Sequence, residues 1–162
     1  MKIEYINPFI QASQSIIVQT TGFTTSIGKV YIKNRPYKGN EVVVLIGLTG
    51  EIQGSTTISM NNILACKIAA AMMGVASIPV LDEIAKSAIA ELGNMILGNA
   101  AGIFSKNKIN IDITPPIVFT GENIELSISN SVIICIPLVF EDGKCLEIDL
   151  TYIEKAAIGQ KK

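Results

Sequence analysis

Histidine and tryptophan are absent from this chain. Without histidine, neither a Ser-His-Asp nor a Cys-His nucleophile system can be built. The cysteines Cys66, Cys135 and Cys145 are widely spaced and form no C-x-x-C pair, so no structural zinc ligand set is visible. No G-x-G-x-x-G or Walker loop is present, which leaves a nucleotide-binding α/β fold unsupported. The formal net charge of −1 offers no basic face for nucleic acid. Mean hydropathy is +0.45, yet no run approaches the roughly 20 continuous apolar residues of a membrane span. The opening MKIEYINPFIQ has no apolar signal core, so the expected location is the cytoplasm. Chemistry is left to carboxylates, amides, hydroxyls and lysines, or to a metal brought by a partner.

What is present is core material. Of 162 residues, 49% are hydrophobic and 17% charged, which excludes disorder and supplies one well-buried domain. That domain is expected over residues 1–153, followed by a polar tail over 154–162. Cys66 and Cys135 lie within apolar runs, where a thiol packs as a small hydrophobe.

The pattern predicts a helix over Pro8–Thr21, capped by Asn7 and ended by Gly22. Strands follow over Ile27–Lys33, Glu41–Leu48 and Ile52–Ser59, the last two joined by a tight turn at Thr49-Gly50-Glu51. A second helix spans Asn61–Met73 and stops at Gly74. A third runs from about Asp82 to Phe104. Strands over Lys108–Ile113, Asn130–Phe140 and Lys144–Tyr152 come next, the last pair turning at Glu141-Asp142-Gly143.

This order, helix and three strands twice over with a spare helix between, points to an internal duplication. A slide of 80 residues lays Thr21-Gly22-Phe23 over Ala101-Gly102-Ile103 and Pro36 over Pro116. The expected fold is a two-layer α+β domain. Two antiparallel meanders join in one sheet, with the long helices packed on one face.

The third helix carries the candidate residues, although an acid and an amide on the outer face of an amphipathic helix are also ordinary solvent-facing residues. Ala85, Ile89, Leu92, Ile96, Ala100 and Ile103 gather as a buried stripe. Ser87, Glu91, Asn94 and Gly98 line the opposite ridge, flanked by Ile84 and Met95. An acid and an amide one turn apart, with small residues above and below, leave room for a partner surface. Gly93 and Gly98 each cost roughly 1 kcal/mol against alanine in a helix, which invites a packing or access reason.

The run Ser87-x3-Glu91-x2-Asn94, followed by Pro115-Pro116, resembles the signature of the CheC/CheX/FliY family of chemotaxis phosphatases. The duplicated layout matches as well, over essentially the whole domain. The resemblance implies hydrolysis of the aspartyl phosphate on a CheY-type response regulator. Asn94 would orient the attacking water, and Glu91 would engage the regulator's active-site lysine. Ser87, Ile84, Met95, Gly98 and Pro116 would shape the docking surface.

The resemblance implies no cofactor of the chain's own; Mg2+ would come with the phosphorylated regulator. The slide places Gln11 and Gln14 where the third helix has Glu91 and Asn94, so one site is expected, as in the CheX type. Glu4-x2-Asn7 repeats the spacing, but ahead of Pro8 it reads as a helix start. CheX-type members imply a homodimer formed through the sheets, with which the apolar runs VVVLIGL and VIICIPLVF are compatible. No nucleic acid and no membrane are expected as partners. The alternative reading is a non-catalytic regulator-binding or flagellar-switch-type adaptor, which would have no chemical need for the Glu91/Asn94 pair.

Overall fold

The structure, a computed structural model, describes residues 3–34, 36–127 and 131–153. Asn130, expected to open a strand, and the tail from Glu154 onward lie outside the described residues. Helices α1 (Ile3–Thr21), α2 (Asn62–Met73) and α3 (Glu83–Lys106) cover one face of an eight-stranded antiparallel sheet.

The helix ends follow local chemistry. The Asn61 side chain accepts from the Leu64 amide at 2.8 Å and caps α2, and Gly74 ends that helix in the left-handed region with φ of 67°. Asp82 caps α3 in the same way, accepting from the Ala85 amide at 2.8 Å. Gly22 closes α1 at φ 75°, its amide donating to the Val18 carbonyl.

Asn7 is not a cap. α1 starts at Ile3 and carries Pro8 inside it. Tyr5 and Ile6 pack against the core, and the Tyr5 ring lies 6.5 Å from that of Phe104. That burial extends the helix past a proline that local preference alone would place in the first turn.

The strands are β1 (Thr25–Ile27), β2 (Tyr31–Lys33), β3 (Tyr37–Lys38), β4 (Val42–Gly50), β5 (Gln53–Met60), β6 (Ile111–Ile113), β7 (Ile117–Thr120), β8 (Glu125–Leu126), β9 (Val132–Phe140) and β10 (Cys145–Ile153). Both expected hairpins form, β4 with β5 and β9 with β10. The meanders do not. The first strand of each half crosses to the other half's hairpin: β1 and β2 pair with β9, while β6 and β7 pair with β4. The sheet order is β1-β9-β10-β5-β4-β6, so the two halves interlock.

Each edge is broken in the same manner. Ile27 to Tyr31 on one edge spans one residue more than the facing Leu138 to Cys135. Ile113 to Ile117 likewise spans one more than Leu48 to Leu45. These are bulges, which bend an edge and increase its local twist. The expected strand Ile27–Lys33 is therefore two short ones. The strand expected from Lys108 begins only at Ile111, because Lys108 sits at φ 62° after the end of α3. Pro115-Pro116 occupies the second bulge, and β7 resumes beyond it.

The main core lies between helices and sheet, with Phe9, Ile17, Ile46, Ile58, Leu92, Ile96 and Phe104 buried. The other face is partly covered by the chain itself. A two-stranded ribbon of β3 and β8 crosses it, and Tyr37 is buried there with Val43 and Ile133. The double-sided apolarity of β4 and β9 thus has a cause within one chain.

Candidate functional site

α3 lies against α1, α2 and the strands β4, β6 and β7. Its inward stripe of Ala85, Ile89, Leu92, Ile96 and Ala100 is buried, joined by Gly93, Leu97 and Phe104, with Ile103 half-buried. That anchorage fixes which residues face outward. Ser87, Glu91 and Gly98 are exposed and Asn94 is half-buried, in one row along the helix.

Among the described residues, the side chains of Glu91 and Asn94 make no hydrogen bond or ion pair, while Ser87 Oγ donates to the Glu83 carbonyl of its own helix at 2.9 Å. A carboxylate and an amide one turn apart thus stand ready for an outside partner.

The surrounding residues differ in role. Ile84 is 66% exposed at the start of the ridge, an apolar side chain unsupported by its own fold. Met95 is half-buried and leans on the core. Pro116 is half-buried at the edge bulge, on the strand pair β6–β7 that α3 packs against.

The two helix glycines separate cleanly. A Cβ on Gly98 would meet nothing within 4 Å, whereas one on Gly93 would meet Val44 Cγ1 at 3.1 Å and Ile46 Cδ1 at 3.3 Å. Gly98 keeps the outer ridge low; Gly93 lets the helix lie close on the sheet.

α1 offers no equivalent of the acid–amide pair at the matching positions. Gln11 is exposed, and Gln14 Nε2 donates to the Thr25 carbonyl at 2.9 Å, tying its amide into the fold. Glu4 and Asn7 are both exposed and, with α1 beginning at Ile3, stand one helical turn apart.

One cluster had no signal in the sequence. On the far face, Lys33 Nζ lies 2.6 Å from Glu147 and 2.9 Å from Asp149, partners more than a hundred positions away. Burial opposes the Lys33 charge, but the two carboxylates outweigh it and hold the ammonium above its ordinary pKa. Burial pushes Asp149 up despite Lys33. Cys135, Glu147 and Asp149 have ligand atoms within 4.8 Å of one another. The Lys33 ammonium bridges both carboxylates, so their charge already has a partner within the fold.

A groove of about 650 Å³ runs along α2, lined by Phe23, Ile63, Cys66, Val75 and Pro79 among others. Neither Glu91 nor Asn94 lines it. Their place on an outward ridge suits insertion into another protein's site better than capture of a small molecule. No helix of the described residues is long and apolar enough to cross a membrane.

Comparison with known proteins gives consistent results. The family described as "Chemotaxis phosphatase CheX" matches residues 42–139. The chain is 34% identical over 138 residues to the CheY-P phosphatase CheX of Thermotoga maritima, across 85% of this chain and 88% of that one. A CheC-like superfamily protein from Shewanella sp. PV-4 is similar in structure, with TM-score 0.84 and 26% identity over 94% of this chain and 99% of that chain. So is the CheX–CheY–BeF3–Mg2+ complex from Borrelia burgdorferi, with TM-score 0.77 and 30% identity over 93% of this chain and 99% of that chain.

Proposed function

The chain belongs to the CheX family of chemotaxis phosphatases, and from that membership we propose that it hydrolyses the aspartyl phosphate of a CheY-type response regulator. The observation that carries the reading is the pair Glu91 and Asn94, outward on a rigidly anchored helix and without a side-chain partner among the described residues.

The Asn94 amide enters the regulator's phosphorylation site and holds a water in line with the P–O bond to the aspartate. The water oxygen bonds to phosphorus, the P–O bond to the aspartate breaks with its electron pair kept by the carboxylate, and inorganic phosphate leaves carrying one water proton while the other passes to phosphate or solvent. An amide suffices because phosphoryl transfer depends on positioning and charge neutralisation more than on a strong base. Glu91 pairs with the regulator's lysine and sets the register in which Asn94 enters.

Mg2+ comes with the regulator, as a part of the substrate complex. The Borrelia structure, in which CheX, CheY, BeF3 and Mg2+ stand together, supports that assignment. Ser87, Ile84, Met95, Gly98 and Pro116 form the surrounding contact face, small or apolar where the partner comes close. Two copies associate through their sheets in the same reading, supported by the exposed apolar side chains of Tyr31 and Ile32 on the edge strand β2. Light scattering at micromolar concentration reads that directly, and a monomer mass removes it.

Phosphate release from a phosphorylated CheY-type regulator with Mg2+ tests the chemistry. The wild type accelerates release, and Asn94→Ala and Glu91→Ala abolish the acceleration while keeping the wild-type melting profile. Binding of the regulator without any change in its phosphate lifetime would make the chain a docking module and end the mechanism.

A further inference from the structure

Gly93 sits directly before Asn94, about 100° round the helix from it, and faces into the sheet. A Cβ there would stand 3.1 Å from Val44 Cγ1, 3.3 Å from Ile46 Cδ1 and 3.6 Å from Ile58 Cδ1. The first two distances are tighter than ordinary side-chain contact, and all three neighbours are buried. Glycine is a poor residue for a helix interior. Here its missing methyl sets how deep α3 lies on β4 and β5.

That depth has a consequence one residue away. α3 also packs along β6 and β7, whose bulge holds Pro116. The level of the Glu91–Asn94 ridge relative to that edge is therefore fixed at the contact beneath Gly93. A partner resting on both the ridge and the edge meets the Asn94 amide at a depth decided by the close approach of helix and sheet.

We infer that Gly93 is a positioning residue for the reaction, acting through Asn94 by holding α3 down on Val44 and Ile46. This rests on the phosphatase reading. An added methyl pushes the helix outward by a few tenths of an ångström, tilts Asn94 against Glu91, and spoils the in-line water without removing any contact to the regulator. Reactivity is steep in such displacements: a misplacement of about 1 Å can cost roughly a hundredfold in rate.

The test is steady-state phosphate release from the phosphorylated regulator by wild type, Gly93→Ala, Val44→Ala and the double variant, with melting curves for each. Gly93→Ala lowers kcat by about tenfold and leaves KM within about twofold. Val44→Ala alone keeps kcat near wild type. The double variant recovers most of the lost kcat, because the valine methyl that the added Cβ strikes is gone.

A folded Gly93→Ala with wild-type kcat overturns the inference, and so does a loss that Val44→Ala fails to rescue. Should Gly93→Ala not fold, Val44→Ile presses on the same contact from the sheet side; it lowers kcat if the inference holds, and an unchanged kcat overturns it. A wild type that releases no phosphate removes the phosphatase reading itself and this inference with it. An active wild type with an indifferent Gly93 removes only the latter.

Discussion

Thr114 and Gly47 exchange two hydrogen bonds: the Thr114 amide donates to the Gly47 carbonyl at 3.0 Å, and the Gly47 amide donates to Thr114 Oγ1 at 2.8 Å. Gly47 belongs to the first half's hairpin and Thr114 to the second half's edge, immediately before Pro115-Pro116. The corresponding place in the other half is Gly28, whose amide donates to the Pro137 carbonyl at 2.8 Å. Proline has no amide hydrogen to return, so the symmetry holds in the backbone path and stops at the side chains. These links tie each edge strand to the opposite hairpin, and they seat the edge beside α3.

Gly98 separates stability from docking. Gly98→Ala removes the helix cost of glycine and raises stability by about 0.5–1 kcal/mol, seen as a higher Tm. Gly98→Phe also folds, since no described residue lies within 4 Å of its Cβ. It weakens regulator binding by about tenfold or more, equivalent to roughly 1.4 kcal/mol. Wild-type affinity in the Phe variant would show that the regulator docks elsewhere.

The acid–amide pair proposed for catalysis lies on α3. Glu4→Ala with Asn7→Ala, and separately Gln11→Ala, leave phosphate release at the wild-type rate. A drop to about half, with an intact Tm, would reveal a second site on α1, as two equal sites would each supply half of the turnover.

Lys33→Met strands the fully buried Asp149 carboxylate. Removing one partner of a buried pair costs about 3–5 kcal/mol. The sign with pH follows from Asp149, whose folded pKa is already raised by burial. A group with a raised folded pKa favours folding while protonated and loses that contribution as pH rises through the carboxylate range. The variant is therefore most destabilised near pH 7 and recovers as pH falls toward about pH 4, through the carboxylate range, as the carboxyl takes up its proton. Urea unfolding at both values checks this; an equal deficit at each would assign the loss to something other than the Asp149 charge.

Gly54→Ala breaks the middle of the sheet. Its added Cβ would collide with the Thr151 carbonyl oxygen and lie 2.8 Å from the Tyr152 Cα, both backbone of β10. No side-chain rotation relieves that clash. Loss of about 3 kcal/mol or more is expected in chemical denaturation, and a wild-type midpoint would mean that β5 and β10 can part without cost.

Local chemistry made much of this legible. The caps at Asn61 and Asp82, the stops at Gly22 and Gly74, and the turn at Gly143 are short-range events written in adjacent residues. The inward stripe of α3 repeats at helical spacing, so the outward row of Ser87, Glu91, Asn94 and Gly98 followed from periodicity. The start of α1 was not legible, because Asn7-Pro8 has the local form of a cap and the packing of Tyr5 and Ile6 against the core carries the helix past it. The short strands β3, β7 and β8 carry no sequence signal for a related reason: two to four residues leave no periodic trace.

The sequence by itself determined the two-layer α+β class, the duplicated order of elements, and an acid–amide pair on the outer face of one helix. Those rest on hydrophobic periodicity and on turn and cap residues, which act over a few positions. Tertiary structure decided the rest. Exchange of edge strands between halves depends on which hairpin a bulged strand meets. The Lys33–Glu147–Asp149 ion pair depends on residues brought together from opposite ends of the chain. Gly93 and Gly98, alike in sequence, acquire opposite roles because one helix face meets a sheet and the other meets open space. Side-chain spacing along a helix shows which residues share a face, but only packing determines what that face touches.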